Sequence, residues 1–122
     1  MNINVIDEEF SVCKVKDFSE TNLEKNFCFM ERTDEENSLV CLTRYIPENA
    51  TDVDYGWKAM RIEGQLDFNQ IGILAKISEI LANNGISIFV VSTYNTDYIM
   101  VKKQNIEKAL HALENAGYNI VK

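Results

Sequence analysis

Residues 67–101 read DFNQIGILAKISEILANNGISIFVVSTYNTDYIMV, and this stretch decides the fold. Asp67, Phe68 and Asn69 lead into a periodic segment for which Asn69 is the expected N-cap. Ile73, Leu74, Ile77, Ile80 and Leu81 recur at helical spacing and form one apolar face. Gly85 stands where a helix stops on a left-handed residue. Ile86 to Val91 is nearly all apolar and β-branched, so it reads as a buried strand. Ser92 to Thr96 is a polar turn, and Tyr98 to Val101 returns the chain as a second strand.

Working outward, Trp57, Ala59, Met60 and Ile62 predict a strand before the helix, ended by Gly64. Asn105 is placed to cap a second helix that buries Ile106, Ala109, Leu110 and Leu113. Gly117 stops that helix, and Tyr118, Ile120 and Val121 form a last strand. The order strand, helix, strand, strand, helix, strand is that of the ferredoxin-like split β-α-β unit. The expected class is therefore α+β: a four-stranded antiparallel sheet with both helices on one face.

The first 55 residues carry less pattern. Phe10, Val12, Cys13 and Val15 suggest a strand, Phe27 to Met30 a second and Ser38 to Leu42 a third. Asp17 and Ser19 are candidate local caps in the polar run from Lys16 to Asn26. Thr43 to Ile46 reads as one helical turn halted by Pro47. Residues 48–55 are polar and read as the connection between halves.

Composition narrows the function. The 122 residues are 46% hydrophobic and 25% charged, with a net charge of −7, which fits a globular domain. No basic stripe suits a phosphate backbone, so nucleic acid is not expected as a partner. No apolar run is long enough to span a bilayer, and the first residues do not read as a signal peptide. Neither a membrane partner nor export is expected, and the default compartment is the cytoplasm. Cys13, Cys28 and Cys41 are odd in number and widely spaced, and read as small buried hydrophobes. No metal set, cofactor loop or nucleophile–base pair is visible, and His111 lies off the apolar face of its helix. Phe89, Tyr94 and Tyr98 read as packing residues.

The run GW-K-M-R-I-E-G, then LDF-x-x-x-GIL, then LA-x-x-GISIF-x-x-STYNTDYI-x-V resembles the ACT domain, a ferredoxin-like module that binds amino acids and related metabolites. The residues carrying it are Gly56, Trp57, Gly64, Phe68, Gly72, Ile73, Leu74, Gly85 to Phe89, Ser92 to Tyr94 and Thr96 to Tyr98. It is most similar to tandem ACT proteins related to cellular arginine sensors and to aspartate kinase regulatory domains. Ser38 to Cys41 is similar to a weaker signature of the N-terminal partner domain. The resemblance implies an abbreviated ACT-like half over 1–55 and an ACT domain over 56–122. It departs at one position: Ile71 stands where Ser or Thr is usual, so no hydroxyl contact is expected there.

A ligand site is expected around Asn69, Gln70, Ile71, Gly72 and Ile73, with Ser87, Ile88, Thr93, Thr96 and Asp97. The free N–H groups of a helix start favour a carboxylate, and Asp97 suits an ammonium or guanidinium group. Together they would read an amino acid. The resemblance implies a ligand at an interface between ACT halves or subunits. Two other readings stay open, a small enzyme on a ferredoxin-like scaffold and a pure dimerisation module. Fold alone does not choose among them, and both a homodimer and a regulated protein partner remain compatible.

Overall fold

The computed structural model describes residues 1–63 and 72–122. Its elements are β1 (Asn2–Val15), β2 (Phe29–Arg32), β3 (Asn37–Leu42), β4 (Ala50–Glu63), α1 (Ile73–Asn83), β5 (Phe89–Ser92), β6 (Asp97–Lys102), α2 (Ile106–Asn115) and β7 (Asn119–Val121). The chain divides into two compact units, one of residues 8–57 and one of residues 1–7 with 58–122. The long strands β1 and β4 each contribute to both.

In the larger unit the strand order is β7-β1-β4-β6-β5. The two predicted helices and the strands around them are present. The sheet differs from the expected four antiparallel strands, because residues 2–7 lie between β4 and β7. Asn2, Ile3 and Asn4 pair in parallel with Asn119, Ile120 and Val121, so this sheet is mixed. The sequence reading left these residues unassigned. Their alternation is nonetheless that of a strand: Ile3 and Val5 join the core that the helices cover.

That core follows the helical spacing. Ile77 and Leu81 of α1 are fully buried, as are Ala109 and Leu113 of α2, with Ile106 and Leu110 close behind. Met60 and Ile62 of β4 and Ile99 and Val101 of β6 face them. Each fully buried aliphatic side chain of this kind contributes about 1.5–3 kcal/mol. Gly85 ends α1 as expected. Ile86 N–H donates to Leu81 O at 3.0 Å and Gly85 N–H to Ala82 O at 2.9 Å, the paired bonds of a Schellman stop. Gly117 N–H and Tyr118 N–H repeat the pattern on Glu114 O and Leu113 O.

The smaller unit has the order β2-β3-β1-β4. Its crossovers carry no α-helix. Residues 16–28 form turns in which Asp17 Oδ1 accepts from Ser19 N–H and Oγ–H, and Thr43–Tyr45 is a single 3-10 turn. Residues 50–55, read as a connection, instead begin β4. They are mostly exposed, so their strand leaves no apolar alternation to detect. Cys13, Val15, Leu39 and Cys41 form the unit's buried cluster, with Cys28 packed against it.

Candidate functional site

Thr93 and Thr96 are held by the hairpin they sit in. Thr93 N–H donates to Thr96 O at 2.8 Å, and Thr93 Oγ1 donates to the same carbonyl at 3.0 Å while accepting from Thr96 N–H at 3.3 Å. Hydroxyls in turns commonly bond their own backbone in this way. Thr96 Oγ1 reaches further and donates to Ile62 O at 2.8 Å, which pins the hairpin to the C-terminal end of β4. Thr96→Val keeps the shape and removes that bond. It is expected to destabilise the protein by about 1 kcal/mol, read as a lower urea midpoint at unchanged slope. No change would mean that the bond is replaced at no cost.

Asp97 opens β6 opposite Ser92. Its Oδ1 accepts from Ser92 Oγ–H at 2.5 Å. A carboxylate has about four lone-pair sites, so this bond fixes its direction and leaves capacity for a ligand. Tyr94 at the tip is 84% exposed, so it is not the packing residue that the sequence suggests.

Beside the hairpin lies a polar group that the motif reading did not single out. Arg61 Nη1 donates to Tyr98 OH at 3.2 Å and its Nε to Glu63 Oε1 at 3.0 Å. Asn4 Nδ2 donates to the same Glu63 oxygen at 2.9 Å. The Tyr98 and Glu63 contacts hold the Arg61 guanidinium above its ordinary value. The Asn4 and Arg61 bonds hold the Glu63 carboxyl below its own. The signal was the alternation of Arg61 and Glu63 with apolar Met60 and Ile62, which places them on the sheet face away from the helices.

Helix α1 begins at Ile73, with Gly72 at the N-cap position in a left-handed conformation, φ 83°. No side chain caps it among the described residues. The ladder starts with Lys76 N–H on Gly72 O at 3.0 Å, so the first N–H groups have no partner within the helix. Among the described residues a Cβ built on Gly72 meets nothing within 4 Å, and the positive φ favours glycine there. Asn69, Gln70 and Ile71 lie outside the described residues. Ile73 turns its side chain into the core and offers only its backbone.

Thr93, Thr96 and Asp97 thus gather at one end of the sheet, beside the end of β4 from which the chain proceeds to α1. Ser87 and Ile88 do not join them there. They precede β5, which starts at Phe89 rather than at Ile86, because the turn closing α1 occupies the intervening residues. Ile88 is four residues from Ser92, about 13 Å at strand rise. Its side chain packs on the core, whereas Ser87 is exposed. Among the described residues β5 ends the strand order, so its outer backbone groups form an edge there.

Among the described residues no group of three His, Cys, Asp or Glu side chains is arranged to hold a metal, and no helix is long and apolar enough to cross a membrane. His111 is exposed. A cleft of about 360 Å³ lies at Met1, Lys76, Glu79, Ile80 and Ala116 to Tyr118, and it includes none of the expected ligand residues.

The chain is 37% identical over 59 residues to the cytosolic arginine sensor for mTORC1 subunit 1 of Homo sapiens and of Bos taurus. That match takes 48% of this chain and 18% of the relative, so the chain spans less than a fifth of the curated relatives it matches. A crystal structure of an Agobacterium tumefaciens protein matches with a TM-score of 0.87 and 30% identity, over 98% of this chain and 91% of that one. The regulatory subunit of aspartate kinase from Thermus thermophilus shares the fold with a TM-score of 0.66 at 10% identity, over 94% of this chain and 96% of that one. The ACT domain family model matches residues 52–115, more than half of the chain. This chain belongs to the ACT domain family, whose members are regulatory ligand-binding modules.

Proposed function

We propose that this protein is a regulatory sensor whose ligand is a free amino acid, bound at the start of α1 with its carboxylate on the helix N–H groups and its ammonium on Asp97. The observation that carries this reading is the left-handed start of α1, which has no side-chain cap among the described residues; the Asp97 hairpin is anchored on the end of β4 through Thr96. A helix start favours an anion, and a directed carboxylate favours a cation, so the pair suits a zwitterion better than a sugar or a nucleotide. Ser87, Ile88 and the β5 edge are assigned to the ligand's side chain or to a second subunit.

The arginine-sensor relative supports an amino acid, and its name as a cytosolic protein supports a cytoplasmic location. The strand order of residues 8–57 is that of a split β-α-β unit reduced to its strands, which supports an abbreviated ACT-like module. Regulation rather than catalysis is proposed, with either a second copy or a regulated protein as partner.

A melting screen with each of the twenty amino acids at millimolar concentration tests the reading. Ligand at about 100 times its dissociation constant adds roughly 2.7 kcal/mol, a rise on the order of 10 °C for a domain near this size. Asp97→Asn is expected to shrink that rise while leaving the ligand-free melting point nearly in place. A shift from nucleotides alone, or none from any amino acid on ligand-stripped protein, would sink the reading.

A further inference from the structure

Two cations converge on one tyrosine of the smaller unit. Tyr45 is half-buried at the end of the 3-10 turn that follows β3. The Arg44 guanidinium carbon stands 5.0 Å from the centre of its ring, and the Lys25 ammonium nitrogen stands 5.3 Å from it. Both lie within the roughly 6 Å at which an aromatic ring holds a cation. Arg44 is fixed from its other side, where Nη1 donates to Glu8 Oε2 and Nη2 to Glu8 Oε1 at 3.4 Å. Lys25 is exposed and reaches the ring from the 16–28 crossover. Glu8, Lys25, Arg44 and Tyr45 all belong to residues 8–57.

We propose that Tyr45 is an acyl-acceptor site, a phenol nucleophile that takes the acyl group of a small acyl phosphate while Lys25 and Arg44 hold the phosphate. The two cations act on both ends of that reaction. Hydrogen bonding to Arg44 holds the phenol below its ordinary value against the opposing effect of burial, and the Lys25 and Arg44 charges add to it. A cation beside a nucleophile favours its ionised, attacking form. The same cations suit the group that leaves, because Arg and Lys are the side chains that match phosphate oxygens. A guanidinium has five N–H donors, so the Glu8 bonds leave Arg44 with donors for a phosphate. A thioester would offer these cations no phosphate oxygens, which is why the class is acyl phosphate.

The step balances. The phenol gives up its proton, and its oxygen attacks the acyl carbon. A C–O bond forms to Tyr45, and the C–O bond to phosphate breaks with its electron pair going to phosphate. The proton lost by the phenol ends on that phosphate. The products are O-acylated Tyr45 and inorganic phosphate, and nothing is oxidised or reduced.

The test incubates the full chain with acetyl phosphate near neutral pH and maps the peptides by mass. The expected product carries one acetyl group on Tyr45, and neutral hydroxylamine removes it, as it does a phenyl ester. Tyr94 is 84% exposed and serves as the reference for access alone; Tyr45 is expected to be labelled several-fold faster. Inorganic phosphate is expected to slow the labelling of Tyr45 in the parent chain. Lys25→Gln, at an exposed position, is expected to label several-fold more slowly and to respond less to phosphate. An acetyl group on Lys25 instead, resistant to hydroxylamine, would overturn the proposal. So would equal labelling of Tyr94 and Tyr45, a Lys25→Gln rate equal to that of the parent, or no labelled tyrosine. Mapping of the parent chain decides the site without any variant.

Discussion

A fragment of residues 56–122, the span that the sequence marks as a complete ACT domain, is expected not to fold. The larger unit includes residues 1–7, and they occupy the middle of its sheet rather than its rim. Ile3 is fully buried among the residues that α1 and α2 cover. Among the described residues β7 has β1 as its strand partner, and Asn119 is tied to the first residues twice, through its N–H on Met1 O and its Nδ2 on Asn2 Oδ1, both at 3.1 Å. Deleting residues 1–7 removes a core isoleucine, a loss of about 2–5 kcal/mol if only a cavity remained. It also removes a run of ladder hydrogen bonds at about 0.5–1.5 kcal/mol each. The sum rivals the 5–15 kcal/mol of a typical domain. Circular dichroism and amide exchange should show no cooperative transition, while the full chain melts as a folded protein. Ile3→Asp in the full chain should reproduce much of the loss. A fragment that melts cooperatively near the full chain's temperature would show that the N-terminal strand is dispensable.

The same strand shows where the sequence stopped being legible. Helix spacing and two glycine stops are local signals that placed their elements, while the apolar run placed β5 with its start three residues early. Pairing between residue 3 and residue 120 is not local, and alternation at Ile3 and Val5 names a strand without naming its neighbour. Residues 50–55 failed for the opposite reason: with both faces largely exposed, their strand has no apolar period. The crossovers of the smaller unit lack the helices that would have betrayed its strand order. At the site, the turn chemistry of Thr93 and Thr96 was readable because it is built within four residues. The distance from Ile88 to the hairpin was not, since it depends on where α1 ends and β5 begins. The cysteines looked unrelated because Cys13 and Cys41 come to one face only through the β1–β3 register, against which Cys28 packs.

Gly72→Val is expected to abolish ligand binding more completely than Asp97→Asn, and the geometry allows the cause to be isolated. The φ of 83° is one that a side chain rarely adopts, so the variant pays about 1–2 kcal/mol of backbone strain, and more with a branched side chain. Among the described residues a Cβ there meets nothing within 4 Å, so no clash with them adds to the strain. A carboxylate approaching the first N–H groups of α1 would lie beside this position, and a branched side chain would crowd it. Asp97→Asn, by contrast, keeps the shape and weakens one charge-assisted bond worth roughly 1.5–3 kcal/mol, which leaves measurable affinity. Gly72→Ala provides the control, with similar backbone strain and a smaller group. If strain were the whole effect, Ala and Val would cost affinity about equally, in step with their melting points. If the helix start is the anion site, Val loses binding while its ligand-free melting point falls only a few degrees below that of Ala. Titration calorimetry with the amino acid selected by the melting screen separates the two. A folded Gly72→Val protein that binds as the parent does would move the anion site away from α1.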